Sequence, residues 1–364
     1  MTQTSKVRVL VGMSGGVDSS AAAALLLEQG YEVIGVTLKL WPQDCVSRAE
    51  DKCCGPQAVT DARAVCEKLG IPYYLVDESA EFQTRVIQYF ADEYKAGRTP
   101  NPCVICNQTL KFGRLLQRAD QLGAPYVATG HFARLEPSPD GKRMLLRRGR
   151  DLRKDQSYFL FSLSQPQLRR AMFPLGEKTK ADTRDVARGC RLNTAEKEES
   201  MEICFVPDND YGRFLEQTRL VRRHRGEIVD QGGRVLGYHD GIEFFTVGQR
   251  KGLRVAAAKA LYVLELDAAS NRVIVGGPEG LEHQEFLVER CNWIVEETPA
   301  APFEATVKIR YNHPGAQATV IPLDAGRARV KLQAPQRAVT PGQAAVFYRD
   351  DLVLGGGWIA GRAA

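Results

Sequence analysis

Reactive chemistry in this sequence is concentrated in a glycine-rich turn, Met13-Ser14-Gly15-Gly16-Val17-Asp18-Ser19-Ser20, in the Cys-x-x-Cys pair Cys103 and Cys106, and in Cys204. The turn follows the apolar run Val7 to Gly12 and opens an alanine-rich stretch, so it reads as strand, loop and helix. Gly15 and Gly16 let the backbone turn sharply and approach a ligand, while a helix N-terminus offers unpaired N–H groups at the positive end of its dipole. An anion such as a phosphate belongs there. The loop lacks the lysine of a Walker motif and the third glycine of the dinucleotide fingerprint, which sets both aside. The plainer alternative, Asp18 or Ser19 as a simple helix cap, leaves the rest of the Ser-Gly-Gly-Val-Asp-Ser combination without a purpose.

The cysteines suit nucleophilic sulfur chemistry. In Asn101-Pro102-Cys103-Val104-Ile105-Cys106-Asn107 the pair sits after a helix expected to end near Gly97 and before another containing Lys111 and Phe112. At a helix start the dipole lowers a thiol pKa and raises the thiolate fraction that reacts, with Cys106 the better placed nucleophile. Cys204 lies in Ser200-Met201-Glu202-Ile203-Cys204-Phe205-Val206, an apolar stretch in a polar loop. By itself such a cysteine is more often a small buried side chain.

The elements that must position these residues alternate from Val7 to His131. Strands are expected at Val7 to Gly12, Glu32 to Leu38, Tyr73 to Val76 and Tyr126 to Thr129, with helices at Ser19 to Gln29, Ala58 to Leu69, Phe82 to Ala96 and near Leu110 to Leu122. Alternating strands and helices mean an open parallel α/β sheet whose ligands sit at the carboxyl ends of the strands. Past about Asp208 short strand-like runs split by Gly, Pro and Asp take over: Arg225 to Val229, Tyr262 to Leu266, Arg272 to Gly276, Ala305 to Arg310 and Ala328 to Leu332. The expected division is an α/β catalytic domain over 1–208, a β-rich central domain over 209–282 and a small C-terminal β-barrel over 283–364.

With 364 residues, 44% hydrophobic and 26% charged, the chain is a globular protein long enough for more than one core. It has no long apolar run or leader-like start, which points to the cytosol and to no membrane partner. Nine cysteines over so long a chain favour reduced, metal-bound or catalytic thiols over a disulfide scaffold. The net charge of +5 permits a nucleic-acid partner without requiring one. The charge is concentrated in Lys142, Arg143, Arg147, Arg148, Arg150, Arg153 and Lys154, and again in Arg219, Arg222, Arg223, His224 and Arg225. Such runs are either phosphate-binding surfaces or solvated faces.

The Ser-Gly-Gly-Val-Asp-Ser loop resembles that of the ATP pyrophosphatases, which implies adenylation, with Gly12, Met13, Ser14, Gly15, Gly16, Val17, Asp18 and Ser19 at the phosphates and Leu38 and Gly130 bordering the adenosine. Taken in order, this loop, Asn-Pro-x-x-x-Cys-Asn, Ala128-Thr129-Gly130-His131, Lys154-Asp155-Gln156-Ser157-Tyr158-Phe159-Leu160 and Ile203-Cys204-Phe205 resemble the tRNA-specific 2-thiouridylases. The likeness continues through His239-Asp240-Gly241-Ile242, Gly248 to Leu253, Arg310-Tyr311 and Thr340 to Ala344, and so covers nearly the whole chain.

What this resemblance implies is an enzyme that uses ATP and Mg2+ to adenylate the 2-oxygen of the wobble uridine in tRNAs for lysine, glutamate and glutamine. Cys204 would carry a persulfide sulfur from a cysteine desulfurase or a sulfur-relay protein. Cys106 would release that sulfur, by forming a disulfide with Cys204 or by assisting attack. Asn101, Pro102 and Cys103 match a segment facing the target base, and Lys154, Asp155, Gln156, Arg310 and Tyr311 match segments contacting tRNA. Many relatives have aspartate where this chain has Cys103, which puts a general base in doubt. Cys103, Cys106 and Cys204 as ligands of an iron–sulfur cluster stay open beside the reading as catalytic thiols.

The remaining cysteines, Cys45, Cys53, Cys54, Cys66, Cys190 and Cys291, have no zinc-site spacing and read as structural. His131 reads equally as a ligand contact or a packing residue. Two other functions are compatible with parts of the sequence: another adenylating synthetase or amidotransferase of the ATP-pyrophosphatase group, which would not need the cysteines, and a non-catalytic RNA-binding or redox module with a vestigial loop.

Overall fold

The computed structural model describes residues 6–40, 55–198, 203–206, 210–257 and 259–362. Cys45, Cys53, Cys54 and Ser200 to Glu202 lie outside the described residues. The chain divides into two compact units, one drawn from Met1–Val86, Cys103–Pro207 and Asp351–Val353, the other from Ile87–Pro102, Asp208–Asp350 and Leu354–Ala364.

The first unit is built on a parallel sheet. Strands β1 (Arg8–Gly12), β2 (Glu32–Lys39), β3 (Tyr73–Asp77) and β4 (Tyr126–Ala128) order as β3-β2-β1-β4, with the two-residue β7 (Ala171–Met172) beyond β4. Every pairing is parallel. Val9, Leu10 and Val11 are fully buried, as a central strand covered on both faces requires, and each contributes about 1.5–3 kcal/mol by leaving water. Chain order reverses between β1 and β4, so the ligand crevice of such a sheet lies at their carboxyl ends.

Helix α1 (Val17–Glu28) is alanine-rich because it is buried nearly all round: Ala21, Ala22, Ala23 and Leu26 have no exposed surface. Small side chains let it lie close to both the sheet and the helix Lys180–Gly189. Helix α2 (Pro56–Leu69) opens with Pro at its first turn and closes on Gly70 in the left-handed conformation, φ 67°.

Two helical runs differ from expectation. The run over 79–95 contains a π-helical turn at Gln83–Ile87. The run over 102–121 begins at Pro102, well before Leu110, and winds wide over Asn107–Arg114. The Cys-x-x-Cys pair therefore lies inside a helix. A hairpin, β5 (Ala133–Pro137) with β6 (Met144–Arg148), carries the first basic stretch from the end of its turn through its second strand and beyond.

In the second unit, β8 (Gly226–Asp230), β9 (Val235–His239), β10 (Tyr262–Asp267) and β11 (Arg272–Gly276) form a mixed sheet in the order β10-β11-β8-β9. The C-terminal strands β12 (Glu282–Trp293), β13 (Phe303–Lys308), β14 (Ala316–Leu323), β15 (Arg327–Arg337), β16 (Ala344–Arg349) and β17 (Leu352–Arg362) run β12-β15-β14-β13-β16-β17, and a β12–β17 pairing closes the barrel. Its inward positions alternate along each strand, Ala305 and Val307, Ala318 and Val320, Ala328, Val330 and Leu332, all buried. No helix among the described residues is long and apolar enough to cross a membrane.

Candidate active site

The nucleotide loop leaves β1 at Gly12 and enters α1 at Val17, with Gly16 as N-cap. Glycine has no side chain to cap with, and no side-chain cap bond is made at the start of α1, where the N–H groups and the helix dipole favour an anion. Neither Asp18 nor Ser19 caps the helix. Ser19 instead folds back into the loop, its hydroxyl 3.1 Å from the Ser14 amide, which donates to it, and donating at 3.1 Å to the Gly16 carbonyl. Thr37 of β2 donates to the Met13 carbonyl at 2.8 Å. Met13 and Val17 are core residues beside Val9 and Val11, so they anchor the loop from below. Gly15 has φ 69° and lies against the first turn of α2, where a Cβ would come 2.7 Å from Ala58 Cα. Leu38 sits half-buried at the carboxyl end of β2, paired with Val76.

Gly130, one strand away, meets the same loop from the other side. A Cβ there would be 2.6 Å from the Asp18 carbonyl carbon and 2.7 Å from the Ser19 nitrogen. Thr129 and His131 flank it, joined by a 2.7 Å Oγ1···Nδ1 hydrogen bond, and His131 lies between Phe112 and Phe173 with ring centroids at 6.2 and 6.0 Å. Histidine here is a packing residue. Burial, and then the nearby Lys111 charge, push its pKa well below the ordinary range. A base held neutral in the fold costs stability when the unfolded chain protonates, so stability is complete above pH about 6.5 and falls as pH drops below it. Urea titrations should therefore show His131→Phe losing less stability than the parent between pH 6.5 and 5, by up to about 1.4 kcal/mol per pH unit. Parallel curves would mean that His131 titrates in the fold as it does in the unfolded chain.

Two lysines far from the loop in sequence reach it. Lys180, the first residue of its helix, places Nζ 2.6 Å from Asp18 Oδ1. Lys197 Nζ lies 3.1 Å from the Gly15 carbonyl and 2.6 Å from Asp61 of α2. Neither was singled out from sequence, because a lysine in a polar stretch carries no local signal of a distant partner.

Among the described cysteines, burial pushes the Cys66 and Cys291 thiols up to about 12, which makes both inert at neutral pH. Cys190 packs partly buried against the sheet core. Cys103, Cys106 and Cys204 are half-buried and remain the candidates for chemistry. Pro102 opens their helix, so Cys103 and Cys106, three residues apart, share one face. The helix dipole acts within the first turn and so favours Cys103; the preference for Cys106 rests on the family motif rather than on the field. Asn107 is buried and donates to the Phe159 carbonyl at 3.1 Å, and Gln167 donates to the Gln108 and Phe112 carbonyls. Buried Glu78, just past β3, holds Arg114 at 2.8 Å and Arg118 at 3.0 Å, fixing the same run to the carboxyl edge of the sheet. Phe205, next to Cys204, packs edge-on against Phe82 at 5.6 Å. No group of three or more His, Cys, Asp or Glu that could hold a metal ion occurs among the described residues.

A family model described as a tRNA methyl transferase HUP domain matches residues 7–208, one described as its PRC-barrel domain matches 212–277, and an aminomethyltransferase beta-barrel domain matches 283–359. The chain is 51% identical over 356 residues to the tRNA-specific 2-thiouridylase MnmA of Heliobacterium modesticaldum, covering 97% of this chain and 92% of that protein. It is also 51% identical over 363 residues to that of Geobacter metallireducens, covering 99% and 98%. The chain belongs to the tRNA-specific 2-thiouridylase family.

In this 2-thiouridylase-family chain the segments expected to meet tRNA fall in both units. Lys154 is half-buried and Arg153 exposed, but Asp155 turns inward and accepts from the Gly149 amide, the Ser157 amide and the Ser157 hydroxyl at 3.0–3.1 Å. Burial outweighs those bonds and holds its carboxyl above the ordinary range. Asp155 therefore shapes the turn. Gln156 clamps the chain after β4, its side-chain oxygen accepting from the Phe132 amide at 3.0 Å. In the second unit Asn101 and Pro102 are buried, Arg310 is exposed, and the Lys308 ammonium lies 5.6 Å from the Tyr311 ring. The basic stretches are only partly available. Arg147 is held by Glu136 and Asp351, and Arg223 by Glu216 and Asp240, while Lys142, Arg150, Arg153, Arg219 and Arg222 are exposed.

Proposed function

We propose that the chain is an ATP-dependent tRNA sulfurtransferase that converts the 2-carbonyl of a wobble uridine, in tRNAs for lysine, glutamate and glutamine, to a 2-thiocarbonyl. The observation that carries this reading is an uncapped helix N-terminus behind Ser-Gly-Gly-Val-Asp-Ser in the same unit as the half-buried Cys106 and Cys204. The uridine O2 attacks the α-phosphorus of ATP, the bond to the β-phosphate breaks, and pyrophosphate leaves with its electron pair while the N3 proton is lost. Mg2+ would accompany ATP and offset phosphate charge, and Asp18 is the carboxylate of the loop that would hold it. Adenylation turns the 2-oxygen into a leaving group.

Cys204 carries the sulfur as a persulfide supplied by a cysteine desulfurase or a relay protein. The Cys106 thiolate attacks the Cys204 sulfur, forming a Cys106–Cys204 disulfide and expelling hydrosulfide, which adds to C2. Collapse expels AMP, transfer of the sulfur-bound proton to N3 leaves the thiocarbonyl, and a dithiol returns two electrons to the disulfide. Cys103 lies beside Cys106 as a second thiol able to resolve it. We assign 1–208 to catalysis, 209–282 to a central module and 283–364 to a barrel that helps hold the tRNA through Arg310 and Tyr311, all in the cytosol, where thiols stay reduced. Methyl transfer, named in the description of the matched family model, would leave both the nucleotide loop and the thiols without a role.

The test is a reconstituted reaction with unmodified tRNA, ATP and a persulfide donor, read by retardation of the RNA on a mercury-containing gel. Thiolated tRNA with AMP released in equal amount is expected; AMP formed on a small carboxylate but not on RNA would make the chain another adenylating synthetase. Iron analysis after anaerobic purification separates the thiol mechanism from the iron–sulfur alternative. The exposed Lys142, Arg150 and Arg153 predict tRNA affinity falling about 10- to 40-fold between 50 and 200 mM salt, the slope for two to three neutralised phosphates. Filter binding of the parent and of a triple alanine variant checks this. Equal slopes would make those residues a solvated face.

A further inference from the structure

We propose that Lys180 is the phosphate-binding cation of the nucleotide site, an assignment that rests on the adenylation reading and deepens it. Ser-Gly-Gly-Val-Asp-Ser contains no positive charge, whereas the Walker loop it stands in for carries a lysine of its own. Backbone N–H groups and a helix dipole supply partial charges, yet the group leaving in adenylation is pyrophosphate, several full negative charges at once. Asp18, in the first turn of α1, adds another negative charge beside them.

Lys180 answers both. Its ammonium lies 2.6 Å from Asp18 Oδ1 and 5.7 Å from the centre of the Phe132 ring, just past Gly130. It thus stands between the ends of β1 and β4, the point at which chain order reverses and an anion is expected. Its side chain is only 13% exposed, so its charge acts through a medium less polar than water. Thr179 caps the helix and accepts from the Asp182 amide, the Lys180 amide donates to Asp151 at 3.1 Å, and packing of that helix on α1 fixes where the lysine starts. The other lysine at the loop, Lys197, is taken up by a main-chain carbonyl and by Asp61, which suits holding Gly15 rather than a ligand. As the uridine O2 bonds to the α-phosphorus and the Pα–O bond to the β-phosphate breaks, the electron pair passes to pyrophosphate, and the ammonium stabilises the charge that develops there.

Equilibrium titration of inorganic pyrophosphate and of AMP into the full-length protein tests the assignment without requiring sulfur transfer. Lys180→Met should weaken pyrophosphate binding at least about 10-fold and leave AMP affinity within about 2-fold, since AMP lacks the phosphates the lysine meets. In tRNA-dependent AMP formation the same variant should lose about 10²-fold in kcat, and Lys180→Arg should recover most of it. Unchanged pyrophosphate affinity would overturn the proposal. Equal weakening of pyrophosphate and AMP would overturn it too, making Lys180 a brace for the loop. Parent protein that binds pyrophosphate through Lys180 yet forms no AMP with tRNA would instead fault the thiolation reading and leave the lysine's assignment intact.

Discussion

Serine at position 106 or at position 204 is expected to lower tRNA thiolation by about 10³-fold or more while tRNA-dependent AMP formation stays within a few-fold of the parent. The separation follows from the chemistry. Adenylation needs the loop and the uridine oxygen, whereas a thiolate enters only when sulfur moves. A serine hydroxyl has nearly the shape of a thiol but can neither hold a persulfide nor form a disulfide, so the fold and the ATP site should be unaffected. Added sulfide should partly restore product in both variants, because an external hydrosulfide can attack the activated C2 unaided. Cys66→Ser provides the contrast: its thiol is fully buried and pushed up to about 12, so its loss should cost stability and not thiolation. Thiolation at the parent rate by either Cys106→Ser or Cys204→Ser would withdraw that cysteine from the mechanism.

The architecture was legible where one residue pattern determined one element. Val9, Leu10 and Val11 announce a buried strand, and the short β-branched runs after Asp208 announce a barrel, because burial on two faces or on alternate positions writes itself into composition. Boundaries slipped where backbone geometry rather than side chains decided them. The helix that starts at Pro102 was expected only near Leu110, since Cys103 to Gln108 carries no clear apolar stripe and its backbone winds wide from Asn107. Short elements such as β7, with two residues, have no periodicity to read. In the site, the loop was visible as a local string. Lys180 and Lys197 were not, because they lie more than 160 residues from the atoms they bind and nothing in their own neighbourhood marks them, as separations of 162 and 182 show. Asp155 sits in a motif that reads as a contact with RNA, while its carboxylate is turned onto its own backbone.

Alanine at Gly130 or Gly15 should reduce AMP formation by about 10²-fold or more, the loss that follows when a reacting group is displaced by about an ångström. Gly130 touches the first turn of α1 backbone to backbone: its new Cβ would sit 2.6 Å from the Asp18 carbonyl carbon and 2.9 Å from Asp18 Cβ. A flexible side chain could move aside, but a helix N-terminus cannot shift without taking with it the N–H groups meant for the phosphates. At Gly15 the strain has two sources, φ of 69° and the Ala58 backbone, 2.7 Å from the added carbon. Gly189→Ala is the control, since a Cβ there meets nothing within 4 Å, and it should leave both melting temperature and AMP formation close to the parent's. ATP affinity should fall together with turnover in Gly130→Ala and Gly15→Ala, because the displaced amides serve ground state and transition state alike. Should Gly130→Ala form AMP at the parent rate with its fold intact, the carboxyl ends of β1 and β4 would not be where the nucleotide is held, and the site would have to be sought elsewhere on the sheet.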